Sequence, residues 1–101
     1  MVTIIHGDYE WDDRKNAANI AKHALGFKEA SSIFEDVILE MPSDTDSEEL
    51  RWLAIGKLAG KEIVVIFTVR GARKRIISAR RARDYEREAY QDHLQTIDDE
   101  D

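Results

Sequence analysis

The feature that most constrains the fold is the run at residues 63–69, Ile-Val-Val-Ile-Phe-Thr-Val, interrupted only by Thr68. It is too short for a core helix and too uniformly apolar for a strand with one wet face. It is therefore expected to be a central strand buried on both sides. Turn signals flank it, Lys57-Leu58-Ala59-Gly60-Lys61 before and Gly71-Ala72 after. Connections this short join antiparallel neighbours, so residues 50–55 and 73–79 are read as the strands on either side.

Around this centre the remaining elements follow from periodicity. Residues 37–41 alternate and are closed by Pro42, which predicts a further strand of the meander. Residues 2–6 are β-rich and predict a first strand reaching as far as Trp11. Asp12 or Asp13 has the carboxylate of a helix N-cap, and Ala17, Ile20, Ala21 and Ala24 then fall at helical spacing. Gly26 is expected to end that helix. A second helix over residues 28–34 carries Ala30, Ile33 and Phe34 on one face, making a helical hairpin with the first. Residues 81–95 form a last helix, with Ala82, Tyr85, Ala89 and Leu94 available for packing. The expected class is α+β, with two N-terminal helices and one C-terminal helix against an antiparallel meander sheet.

A chain of 101 residues fits one domain, read here as residues 1–97 with an acidic tail at 98–101. The absence of cysteine excludes disulfides, thiolate metal sites and cysteine nucleophiles. The N-terminus lacks the pattern of a signal peptide, and no apolar stretch approaches the ~20 residues of a membrane span. A cytoplasmic protein with no membrane partner is the expectation.

The net charge of −6 hides an asymmetry. Residues 70–83 hold seven basic side chains (Arg70, Arg73, Lys74, Arg75, Arg80, Arg81, Arg83) and no acidic one. The other 87 positions carry eight basic and 21 acidic residues, a net of −13. A local field of +7 within an acidic protein favours an anionic partner at one surface.

Several motifs fail on spacing. Gly56-Lys57-Leu58-Ala59-Gly60-Lys61 is one residue short of a phosphate loop, lacks the following Ser or Thr, and precedes a strand. A calcium frame begun at Asp44 puts Glu49 where glycine belongs and Ile55 where the bidentate glutamate belongs. His6, His23 and His93 have no ligand spacing, so neither a metal nor another cofactor is expected. No serine stands in a nucleophile elbow.

Three basic groups remain. Lys22-His23 ends the first helix, Arg51 begins a strand, and Arg70, Arg75, Arg80 and Arg81 come from the last two strands and the start of the final helix. In a regular strand Arg73, Arg75, Ile77 and Ala79 share one face, and Lys74, Ile76, Ser78 and Arg80 the other. Guanidinium groups suit bidentate phosphate contact, and an imidazole transfers protons near neutral pH. Each residue also has an ordinary structural use. Lys22 and His23 suit a helix C-terminus, Arg80 or Arg81 can pair with Glu86 or Glu88, and Trp11 and Trp52 suit packing.

Glu10-Trp11-Asp12, Lys15, Asn19, Lys22-His23, Phe27, Ala30, Phe34 and Asp36 resemble the opening of the BrnT-type toxins. The resemblance continues in Arg51 and Gly56, and is densest in Arg75-Ile76-Ile77-Ser78-Ala79-Arg80 with Ala82, Glu86 and Tyr90. Ala24 stands where the family usually has glycine. The resemblance implies a RelE-like fold and a type II toxin–antitoxin ribonuclease that inhibits translation. It also implies a cognate antitoxin with a ribbon-helix-helix type DNA-binding domain, the complex alone meeting operator DNA.

Metal-independent RNA cleavage uses the substrate's 2′-hydroxyl as nucleophile, so the protein must move protons and stabilise a charged phosphorane. Arg75 and Arg80, assisted by Arg51, are assigned to the phosphate. Lys22 and His23 are assigned to proton transfer, His23 favoured because an imidazole titrates near pH ~6.5. Lys57, Arg70, Arg81 and Arg83 are assigned to RNA binding, and Glu86 and Tyr90 to orienting the arginines. The alternative is a non-catalytic module whose basic face holds nucleic acid or a protein partner.

Overall fold

The computed structural model describes residues 2–43 and 49–98. The N-terminal β segment is two strands rather than one: β1 (Thr3–His6) and β2 (Tyr9–Asp12) pair as a hairpin. Gly7 makes this reversal possible, with φ of 59° that suits a residue without a Cβ. Asp12 closes β2 and caps α1 (Asp13–His23), accepting the backbone N–H groups of Arg14 and Lys15 at 2.8 and 3.3 Å.

α1 does not end at Gly26. Its left-handed closing residue is Ala24, at φ 54°, whose N–H reaches the Ile20 carbonyl at 2.8 Å. Gly26 instead opens α2 (Phe27–Ala30) with extended backbone. A Cβ there would closely meet only the flexible end of the exposed Glu29 side chain, which can move aside, so neither positive φ nor packing demands glycine at this position. The expected second helix is one α-helical turn followed by a 3₁₀ helix, Ser31–Glu35.

The rest is β3 (Leu39–Pro42), β4 (Trp52–Leu58), β5 (Lys61–Arg70), β6 (Arg73–Arg81) and α3 (Asp84–Asp98). The fold is α+β, with a six-stranded sheet in the order β1-β2-β6-β5-β4-β3. β3 to β6 form the expected antiparallel meander. The sheet as a whole is mixed, because β2 adds to the free edge of β6 in parallel, Trp11 lying opposite Ile76. Pro42 sits in β3 at the sheet edge, where a missing N–H costs no ladder bond.

β5 lies between β6 and β4 and is buried on both faces from Ile63 to Thr68, with Ile66 only partly so; Val69, at the end of the apolar run, is exposed instead. Ile63, Val65 and Phe67 join Trp11, Phe27 and Ile33 in the core beneath α2, while Val64 packs with Ile55, Ala82 and Tyr90 beneath α3. α3 begins three residues later than expected because β6 continues to Arg81. Its buried aromatic is Tyr90, not Tyr85, which is 63% exposed. Ile20, expected to pack, is also half exposed. Residues 44–48, which hold most of the acidic stretch and the first five positions of the calcium-like frame, lie outside the described residues, as does the tail after Asp98.

Candidate functional site

The basic residues are distributed by an irregularity in β6. The ladder with β5 pairs Ile66 with Ser78 and Phe67 with Ile76, leaving Ile77 without a partner. This is a β-bulge, one extra residue that shifts the alternation. Ile76 and Ala79, three apart, are accordingly both buried in the same core cluster. The register therefore groups Arg73, Arg75, Ser78 and Arg80 on the α3 side, and Lys74, Ile76, Ala79 and Arg81 on the other. The regular alternation expected from sequence is corrected by this one residue, which brings Arg75 and Arg80 to a common face.

β2 covers the edge of β6 only as far as Ile76. Beyond that point α1 takes over the same edge. A groove of about 570 Å³ opens between them, lined by Lys15, Ala18, Asn19, Lys22 and His23 of α1 and by Ile77, Ser78, Arg80 and Arg83. It has four permanent cations, one imidazole and no carboxylate in its lining. Such a wall draws an anion and concentrates its field there.

Arg80 is held from behind. Its Nη1 and Nη2 donate to the two carboxylate oxygens of Glu86 at 2.7 and 2.9 Å, and Nη1 also donates to the Arg81 carbonyl at 3.2 Å. Glu86 is third in α3 and also accepts the N–H of Arg83 at 2.8 Å, half of a capping box. Burial pushes the Glu86 carboxyl up, but the Arg80 and Arg83 donors outweigh it and hold the group below the usual range. The same contact raises Arg80 further. Because Glu86 occupies the end-on edge of the guanidinium, Nε–H and the second Nη2–H have no partner among the described residues. These two parallel donors form an edge of the kind that matches two oxygens of a phosphate.

Not all candidates reach this groove. Lys22, His23, Arg80 and Arg83 line it. Arg75 shares the face of Arg80 but lies beyond the bulge, its Nη1 tied to Glu10 at 2.6 Å with both side chains largely buried. Arg51 precedes β4 and does not line the groove, and its buried Nε has no partner among the described residues. Arg70 pairs with Glu49 at 3.2 Å, Arg81 is exposed on the opposite face from Arg80, and Lys57 is exposed near the β4–β5 turn. Tyr90 contacts no arginine by hydrogen bond and donates to the Val37 carbonyl at 2.9 Å. Lys74 is structural, its Nζ 5.3 Å from the Phe34 ring centre. Lys15, Asn19 and Ser78 line the groove without having been assigned to it from sequence. The spacing of Lys15, Asn19 and Lys22, four and then three residues, places them on one helical stripe.

Residues 11–86 match the family of the ribonuclease toxin, BrnT, of type II toxin–antitoxin systems. The chain belongs to this family. Among curated proteins none matches it. The BrnT match spans α1, the whole meander and the Arg80–Glu86 pair, and thus every residue that lines the groove. Among the described residues no helix is long and apolar enough to cross a membrane.

Proposed function

We propose that this chain is a metal-independent endoribonuclease whose catalytic groove lies between α1 and β6. The observation that carries the reading is the convergence of Lys22, His23 and Arg80 on one carboxylate-free groove, with Arg80 presenting its unused donor edge. The substrate's 2′-hydroxyl loses a proton and attacks the adjacent phosphorus. The P–O5′ bond breaks, and the 5′ oxygen takes up a proton. Arg80 and Arg83 neutralise charge on the phosphorane, where a preorganised donor counts most. His23 moves protons at one end of this displacement, and Lys22 adds positive charge beside it. Arg75 and Arg51 support the same surface from outside the groove.

The match over residues 11–86 falls within one toxin domain, proposed for residues 1–97 with a RelE-like arrangement. Membership of a toxin–antitoxin family supports an antitoxin as partner. We assign to that antitoxin a ribbon-helix-helix type DNA-binding domain, with operator DNA met only through the complex, and to the toxin a cytoplasmic role in stopping translation.

The deciding experiment incubates the purified protein with single-stranded RNA in excess EDTA. Cleavage should persist, leave 2′,3′-cyclic phosphate and 5′-hydroxyl ends, spare DNA of the same sequence, and fall roughly 10²–10³-fold in Arg80→Ala. RNA binding without cleavage would favour the alternative, a basic face that only docks nucleic acid or the antitoxin.

A further inference from the structure

α1 has one buried residue, and it is polar. Asn19 is 7% exposed, whereas the other ten positions of this helix are partly or fully exposed. Surface helices are ordinarily held by an apolar stripe. Here the side chain that faces the sheet is an amide, and every one of its hydrogen-bonding hydrogens is used. Its Nδ2 donates to the Ala79 carbonyl at 2.9 Å and to the Leu25 carbonyl at 2.8 Å, and its Oδ1 accepts the Ala79 N–H at 3.2 Å.

The contact with Ala79 reproduces what a neighbouring strand would provide. β2 stops pairing at Ile76, so the edge of β6 beyond it has no strand neighbour among the described residues. Asn19 meets both polar groups of one residue on that edge. Apolar packing tolerates sliding of a helix along a sheet, but a two-point amide pair fixes position to a single residue. The residue fixed is Ala79, between Ser78 and Arg80, and the helix fixed is the one that carries Lys15, Lys22 and His23. The third bond, to Leu25, ties down the chain just past Lys22 and His23.

On the reading of the groove given above, we infer that Asn19 is a positioning residue for RNA cleavage: it sets the separation and register of His23 and Lys22 against Arg80. Asn19 itself touches no reacting atom. A displacement of about 1 Å between reacting groups costs on the order of 10²-fold in rate. Loss of Asn19 therefore lowers the chemical step more than it lowers RNA affinity, which depends on charges that remain.

The test compares Asn19→Gln, Asn19→Ser and Asn19→Ala, each checked for cooperative unfolding and assayed well below its melting temperature. Single-turnover cleavage of an RNA oligonucleotide at saturating protein gives the rate, and titration gives the half-saturating concentration. The expected result is a rate lowered by roughly 10–100-fold at a half-saturating concentration within threefold of wild type. In an Arg80→Ala background the same Asn19 substitution should cost less than threefold, because the alignment it maintained has already lost one member. Folded Asn19 variants that cleave at the wild-type rate would overturn the inference. So would costs of Asn19→Gln and Arg80→Ala that multiply independently, or failure of all three variants to fold at 10 °C, which would make Asn19 a folding residue only. Wild-type rates in Arg80→Ala and His23→Ala would instead overturn the groove reading itself, a distinguishable result.

Discussion

Glu86 meets Arg80 end-on across the junction between β6 and α3, both carboxylate oxygens lying within 2.9 Å of the terminal guanidinium nitrogens. The pair is unequal in exposure: the Glu86 side chain is 4% exposed and that of Arg80 19%. The carboxylate is thus the buried anchor, and the arginine is the half that reaches the groove. Breaking such a pair by removing one partner leaves the other charge uncompensated.

This relationship has a consequence for acid stability. The Glu86 carboxyl titrates below the usual range in the folded chain, because Arg80 and the Arg83 N–H outweigh its burial. A carboxyl depressed on folding adds stability that is fully present above its unfolded pKa, about 4.3, and is lost as pH falls through the folded value. Urea denaturation from pH 6 down to pH 3 should show wild-type stability falling over the acid part of this range. Glu86→Gln should start lower at pH 6 and fall less steeply, because one linked proton has been removed. Parallel curves for the two proteins would contradict the assignment.

Ala24 predicts a gain. It closes α1 at φ 54° and ψ 35°, a left-handed conformation that costs an L residue with a Cβ roughly 1–2 kcal/mol. Glycine removes that strain and gives back roughly 0.4–1 kcal/mol through the freer unfolded chain. Ala24→Gly should therefore stabilise the protein by up to about 1.5 kcal/mol, read as a higher urea midpoint with unchanged slope. A lower midpoint would refute the argument.

Gly56 predicts a loss for a different reason. It lies inside β4, where a Cβ would stand 2.7 Å from the Cβ of Ile33 and 3.2 Å from Cγ2 of Ile38. The 3₁₀ helix packs directly on this strand, and Ile33 is a buried core side chain whose Cβ is fixed to the backbone. Overpacking of this kind costs about 1–3 kcal/mol. Gly56→Ala should lower the urea midpoint accordingly, whereas Gly60→Ala has open space and pays only for its φ of 80°.

The sequence disclosed its centre better than its edges, and the reasons are particular. Val64 and Val65 are completely buried because an apolar run flanked by turns has few other places to go. Ile66, in the same run, is only partly buried, so Val64→Asp is a more severe test of the strand than Ile66→Asp. The bulge was not legible, because Ile76 and Ile77 are equally apolar and either could face the core. The parallel pairing of β2 was not legible either, since a four-residue strand carries no mark of its partner. Both features shape the groove: the bulge puts Arg80 on the α3 side, where Glu86 holds it, and the pairing of β2 ends at Ile76, which leaves the β6 edge open to α1. Gly26 misled for the opposite reason. Glycine signals a helix end by convention, but Gly26 has extended backbone and opens α2, and the strained cap fell to alanine.

The groove geometry divides the basic residues into two experimental classes. Arg80 presents unused donors to an anion and His23 lines the same wall, so their removal should slow the chemical step itself. Single-turnover cleavage at saturating protein should fall roughly 10²–10³-fold in Arg80→Ala and ~10²–10⁴-fold in His23→Ala. Lys57 and Arg81 are exposed, and neither lines the groove. Their loss should weaken RNA binding while leaving the saturated rate within about threefold of wild type. It should also reduce the slope of log affinity against log salt by about 0.7 for each single-strand phosphate contact removed. Arg70, already paired with Glu49, should lie at the weak end of this second class. Folding of each variant is verified first by its urea midpoint. If Arg81→Ala slows the saturated rate as much as Arg80→Ala does, the two faces that the Ile77 bulge separates are not functionally distinct. The catalytic surface would then have to extend around the edge of β6.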